Sequence, residues 1–76
     1  MRIEILTPEA KLFEGDAESV ILPGAKGQFQ VLKGHAPVIS NLEKGEVVVR
    51  TSEGEKRFEV TGGVAEVLND KVNILV

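Results

Sequence analysis

The sequence has 76 residues, 42% of them hydrophobic, with no cysteine and one histidine. That length holds one small domain, and the composition excludes multi-domain enzymology, disulfide staples and a Cys/His zinc centre. Twelve acidic against nine basic side chains give a net charge of -3, without the basic excess that nucleic acid or an anionic membrane would attract.

Short β-branched runs are separated by Gly or Pro about every ten residues, the punctuation of an all-β sandwich or barrel. Arg2-Ile3-Glu4-Ile5 alternates and is broken at Thr7-Pro8; Lys11 to Glu14 resumes before Gly15-Asp16. Glu18 to Leu22 ends at Pro23-Gly24, and Gln28 to Val31 alternates before Lys33-Gly34. Val38 to Leu42 follows Pro37 and stops at the Lys44-Gly45 turn. Glu46 to Thr51 and Lys56 to Thr61 flank Ser52-Glu53-Gly54-Glu55, and Val64 to Leu68 and Lys71 to Val76 flank Asn69-Asp70, two hairpin signals.

These runs make about nine strands. Alternation turns Phe29, Val31, Val47, Val49, Phe58, Val60, Val72 and Ile74 inward, and Gln28, Gln30, Arg50, Arg57, Glu59, Lys71 and Asn73 outward. The expected fold is a flattened β-sandwich of two packed, mainly antiparallel sheets with nine to ten short strands, one domain over residues 1–76. No apolar run exceeds three residues, which leaves no transmembrane helix and no signal peptide.

Little in the chain points to catalysis. His35 is the one imidazole; Ser19, Ser40 or Ser52 pair with it only on paper, and no Gly-x-Ser-x-Gly elbow occurs. The local reading of Gly34-His35-Ala36-Pro37 is a rigid loop whose imidazole bonds a backbone group. Gly24-Ala25-Lys26-Gly27 has the Gly-x-x-Gly spacing of a nucleic-acid loop, but it lies between strands in an acidic chain and reads as a glycine-rich turn with an exposed tip. Gly62-Gly63 marks a bulge or a close backbone approach. The residues themselves therefore specify an acidic β module that works by contacting a partner. A carrier domain of the lipoyl or biotinyl type, with Lys44 in Glu43-Lys44-Gly45 as the attachment site, is the alternative from another class.

Thr7-Pro8, Phe13-Glu14-Gly15, Leu22-Pro23-Gly24-Ala25-Lys26-Gly27, Gly34-His35-Ala36-Pro37, Thr61-Gly62-Gly63 and Glu66-Val67, in this order, carry a resemblance across the whole chain. The sequence resembles the N-terminal β-sandwich domain of the epsilon subunit of F-type ATP synthase, called delta in mitochondria. The resemblance implies a non-catalytic rotor component at the foot of the central stalk, bound to the gamma subunit and the ring of c subunits, coupling proton translocation to ATP synthesis. It matches Ala25, Lys26, Gly27 and Gln28 to the loop that meets the c ring, and Thr7, His35 and Ser40 to positions lying against gamma.

It implies no cofactor, no metal, and a place on the cytoplasmic side of the bacterial inner membrane, which the protein reaches only through the c ring. The family's C-terminal helical pair has no counterpart here, so nucleotide binding and inhibition of hydrolysis are not carried over. Gln30 stands where the family often has glycine and Lys33 where proline is common, which implies a looser loop around His35, and Gln28 stands where the family is often acidic, which removes a charge that could pair with basic residues of the ring loop.

Overall fold

Period-two alternation is realised almost everywhere, and it sets the architecture. The computed structural model describes all residues, Met1–Val76, as nine strands without a helix. They are β1 (Arg2–Leu6), β2 (Lys11–Asp16), β3 (Ser19–Gly24), β4 (Gly27–Leu32), β5 (Val38–Leu42), β6 (Gly45–Thr51), β7 (Gly54–Val60), β8 (Gly63–Leu68) and β9 (Lys71–Leu75).

One layer runs β2-β1-β9-β8-β5 and the other β4-β3-β6-β7. Only β1 and β9 pair in parallel; every other neighbour is antiparallel. The two packed layers of the expected sandwich are continuous, joined as one curled sheet. β3 pairs with β6 along Ser19–Ile21 and then passes to β5 through the single pair Gly24↔Leu42. Two backbone bonds frame that corner, Ala25 N to Asn41 O and Glu43 N to Pro23 O, both 2.8 Å. The result is a half-barrel flattened into a sandwich of 26 × 24 × 18 Å.

Fourteen buried residues from both layers form one core, with Ile3, Ile5, Val20, Leu22, Val31, Val47, Val49, Val72 and Ile74 fully enclosed. Truncating any of the larger ones to alanine costs about 2–5 kcal/mol through lost transfer energy and the cavity left behind. The accessible surface is 4707 Å², close to the roughly 4,500 Å² that size scaling gives for a folded monomer of this mass. Phe29 and Phe58 point inward, as the sequence reads, and are half-buried, packed against the core from the rims. Their strands, β4 and β7, lie at the outer limits of their layer, so no neighbouring strand covers the ring's far side.

Two turns show how local sequence pins the register. Asn69 and Asp70 have φ of 52° and 62°, the left-handed pair that a two-residue hairpin needs and that these side chains tolerate. At Gly63 the chain approaches β9 so closely that a Cβ would lie 2.1 Å from Leu75 O. The expected close approach at Gly62-Gly63 is therefore real, and it lets β8 begin directly beside the end of β9.

Candidate functional site

The two rims of the sandwich differ, and the difference locates the site. At one rim β2 and β7 face each other, and Phe13 packs on Phe58 with ring centroids 6.0 Å apart while Lys56 Nζ stands 5.5 Å from the Phe13 centroid. At the other rim β4 and β5 diverge from the Gly24↔Leu42 corner. They leave a groove of about 570 Å³ lined by Ala25–Phe29 on one wall and Val38–Asn41 on the other. Phe29 and Val38 reach its floor from the core, half-buried.

Ala25, Lys26, Gly27 and Gln28 form the exposed tip of the β3–β4 hairpin, as expected of a contact loop. The tip is held from below, because Ala25 N donates to Asn41 O and a Cβ on Gly24 would meet the Phe29 ring at 2.8 Å. Lys26 takes part in no ion pair, whereas Arg2, Lys11, Arg50 and Arg57 each bond a carboxylate.

Ser40 lies on β5, half-buried on the groove wall opposite this tip, and its hydroxyl donates to Asn41 O at 3.0 Å. The structure thus joins Ser40 to Lys26, Gly27 and Gln28 in one concavity, where sequence reasoning kept them apart. His35 sits exposed in the loop that connects β4 to β5. Its backbone N–H donates to Leu32 O at 3.0 Å, and its Nδ1–H donates to Ala36 O at 2.7 Å. A carbonyl can only accept, so Nδ1 carries a proton in this bond. This is the backbone-bound imidazole that the sequence suggests. No serine hydroxyl hydrogen-bonds to it.

Thr7 lies elsewhere. Its Oγ1 accepts from Glu9 N at 3.2 Å and Ala10 N at 2.9 Å, and it donates to Ala10 O at 3.1 Å, which organises the β1–β2 turn. It borders a second, shallow apolar concavity with Leu6, Pro8, Leu75 and Val76. Between Thr7 beyond β1 and Ser40 on β5 stand β9 and β8, three strand spacings or about 14 Å. Lys44 occupies the β5–β6 turn, exposed, beside a polar hollow that also touches Pro23, Gln28 and Arg57.

One feature of the site is visible in the sequence once the groove is known. All twelve carboxylates lie outside residues 19–42, a stretch that carries Lys26, Lys33 and His35. The segment that builds β3, β4 and β5 is thus the positive part of an acidic chain.

Comparison with known proteins places this geometry. The family model described as "ATP synthase, Delta/Epsilon chain, beta-sandwich domain" matches residues 1–76. The chloroplastic ATP synthase epsilon chain of Tetradesmus obliquus is 45% identical over 75 residues, covering 99% of this chain and 55% of the relative. The ATP synthase epsilon chain of Chlorobaculum tepidum is 43% identical over 74 residues, covering 96% of this chain and 84% of the relative. That of Helicobacter pylori strain P12 is 37% identical over 75 residues, with coverage of 99% and 61%. The chain spans between about half and three fifths of the length of most such relatives.

Among solved structures, a chain of the Euglena gracilis mitochondrial ATP synthase superposes with a TM-score of 0.90 at 19% identity, over 97% of this chain and 48% of that one. A chain of the central stalk and c-ring structure from Tetrahymena thermophila mitochondrial ATP synthase superposes with a TM-score of 0.78 at 15% identity, over 99% and 63%. At those identities the likeness bears on fold alone.

Proposed function

The chain belongs to the ATP synthase delta/epsilon chain β-sandwich family, and on that premise we propose that it is a non-catalytic central-stalk subunit that binds gamma and the c ring. The observation that carries the proposal is the family match across residues 1–76; the full-length match also leaves the Lys44 carrier alternative without support. In this reading the subunit transmits rotation and so couples proton translocation to ATP synthesis, with no cofactor and no nucleotide of its own.

The hairpin tip Ala25–Gln28 meets the polar loops of the c ring. Its exposure, the free Lys26 ammonium and the bond that ties Ala25 to β5 support that role, since torque needs a contact loop with a stiff base. Ser40 on the groove wall and His35 in the β4–β5 loop contact gamma, and Thr7 does so about 14 Å from Ser40 across the sheet. That separation asks for a broad interface, on the order of 1,000 Å² or more. The protein sits peripherally on the cytoplasmic side of the bacterial inner membrane and reaches the membrane through the c ring. None of its helices crosses a bilayer, because it has none.

Calorimetric titration of the chain with a bacterial gamma subunit tests the proposal. Sub-micromolar, one-to-one binding with a negative heat-capacity change is expected. Absence of binding to several gamma subunits overturns it.

A further inference from the structure

The open rim between β4 and β5 presents what an added strand requires. In β5, Asn41 O points away from β8 and accepts from Ala25 N. Backbone groups of alternate residues point to the same edge, so the N–H and C=O of Ile39 and the N–H of Asn41 also face this rim. Ile39 is 71% exposed, the most exposed of the large hydrophobic side chains.

Open edges are normally defended by charge. β2 carries Lys11, Glu14 and Asp16, and β7 carries Glu55, Lys56, Arg57 and Glu59, besides the Phe13–Phe58 contact that closes their rim. β5 reads Val-Ile-Ser-Asn-Leu and β4 Gly-Gln-Phe-Gln-Val-Leu, without a charged residue in either. Lys26 is the one charged residue that lines the groove, and Glu66 of β8 stands opposite Ile39 in register. Lys26 stands at the hairpin tip and Lys33 in the β4–β5 loop, neither of them in an ion pair, and no carboxylate occurs between Ser19 and Leu42.

We infer that the β5 edge receives an extended, acidic peptide segment of a partner protein, which adds as a strand beside Val38–Asn41 with its carboxylates near Lys26 and Lys33. Main-chain bonds to Ile39 and Asn41 supply the register, the half-buried Phe29 and Val38 receive an apolar side chain, and the two ammonium groups select the charge. The inference rests on the stalk reading only in treating this rim as a partner surface. It adds the conformation and the sign of charge of what binds.

The test uses the intact, ¹⁵N-labelled chain. The probe is a synthetic peptide of alternating threonine and valine with two glutamates at each end; the controls are the same peptide with lysine ends and the glutamate peptide N-methylated at alternate residues. In the free chain the amides of Ile39 and Asn41 exchange fast with solvent, and the glutamate peptide slows both by about tenfold or more while core amides are unaffected. The double variant K26E/K33E, altered only at exposed positions, weakens binding by about tenfold or more, as do lysine ends and N-methylation.

Protection of Ile39 and Asn41 already present in the free chain overturns the inference, as does peptide binding that leaves their exchange unchanged, equal binding of the lysine-ended peptide, or no binding at millimolar peptide. Titration with gamma reads the stalk reading separately. Gamma binding without edge protection by the peptide removes the strand proposal alone, and edge protection without gamma binding removes the stalk reading alone.

Discussion

The rings of Phe13 and Phe58 meet at 6.0 Å between centroids and 56° between planes, and this contact joins the first edge of the curled sheet to its last. The pair lies forty-five positions apart in sequence, so the contact is a long-range one that only the folded sandwich makes. A tilted aromatic pair contributes about 0.5–1.5 kcal/mol beyond the area it buries. The double-mutant cycle Phe13→Ala, Phe58→Ala followed by urea unfolding should return a coupling in that range. Each single variant should cost about 2–3 kcal/mol, less than a fully buried ring, because both rings are half-exposed. Additive losses would mean that the rim is held by the strands alone.

Gly63→Ala should be among the most damaging single substitutions. The added Cβ would lie 2.1 Å from Leu75 O and 3.0 Å from Val76 Cα, backbone atoms that cannot swing aside, at a φ of +144°. A loss of about 3 kcal/mol or more in denaturant stability, or failure to fold, is expected. Asp70→Gly should act in the opposite sense. Replacing a residue held at φ 62° by glycine completes the preferred Asn-Gly turn, and a gain of up to about 1 kcal/mol is expected.

An exposed ion network makes stability depend on pH and salt. Register sets Glu4 directly opposite Glu14, and Lys11 bridges them at 3.3 Å and 2.6 Å while Arg2 takes the other oxygen of Glu14 at 3.0 Å. The bond from Lys11, then that from Arg2, holds the Glu14 carboxyl below its usual value, and Arg50 and Arg57 do the same for Glu55. Depressed carboxylates contribute stability above their unfolded value of 4.5, and that contribution is lost as the pH falls through the lower, folded value. Lys11, raised above 10.5 by Glu14 and then Glu4, contributes below 10.5 and loses its contribution as the pH rises through the higher folded value. The urea midpoint should therefore fall at both extremes. Molar NaCl should shrink the acid-limb fall, because the partners of Glu14 and Glu55 are exposed to solvent.

Thr7 and His35 should separate when both are tested. Thr7→Ala removes three hydrogen bonds that organise a turn and should cost about 1 kcal/mol in stability. His35→Ala loses one bond on an exposed loop and should leave stability within about 0.5 kcal/mol. Under the proposed function His35→Ala nevertheless weakens gamma binding by about tenfold, read by calorimetry. An unfolded His35→Ala variant would make its role structural.

Most strands were legible because the pattern at Gln28–Val31 and Lys71–Ile74 has period two and the apolar runs are bounded by Gly, Pro or Asn-Asp turns. The hairpin tip Ala25–Gln28 was legible for the same reason, since a turn is a local object. Ser40 was assigned its place by resemblance alone. Its adjacency to Lys26 and Gln28 depends on β5 crossing to β3 at the single pair Gly24↔Leu42, which no local pattern encodes. The acid-free stretch 19–42 was readable throughout, but its meaning required knowing that β4 and β5 share a rim.

The sequence by itself determined the class of fold, the strand set and the inward faces, because side-chain alternation and turn chemistry act over a few residues. Only the tertiary structure decided that two sheets are one curled sheet, that Phe29 and Phe58 are rim residues and not centre, and that one rim is sealed while the other stays open. Those outcomes depend on which strand lies at an edge. Edge position is set by pairing between distant segments, whose choice is made by the shared burial of the whole core and not by any single segment.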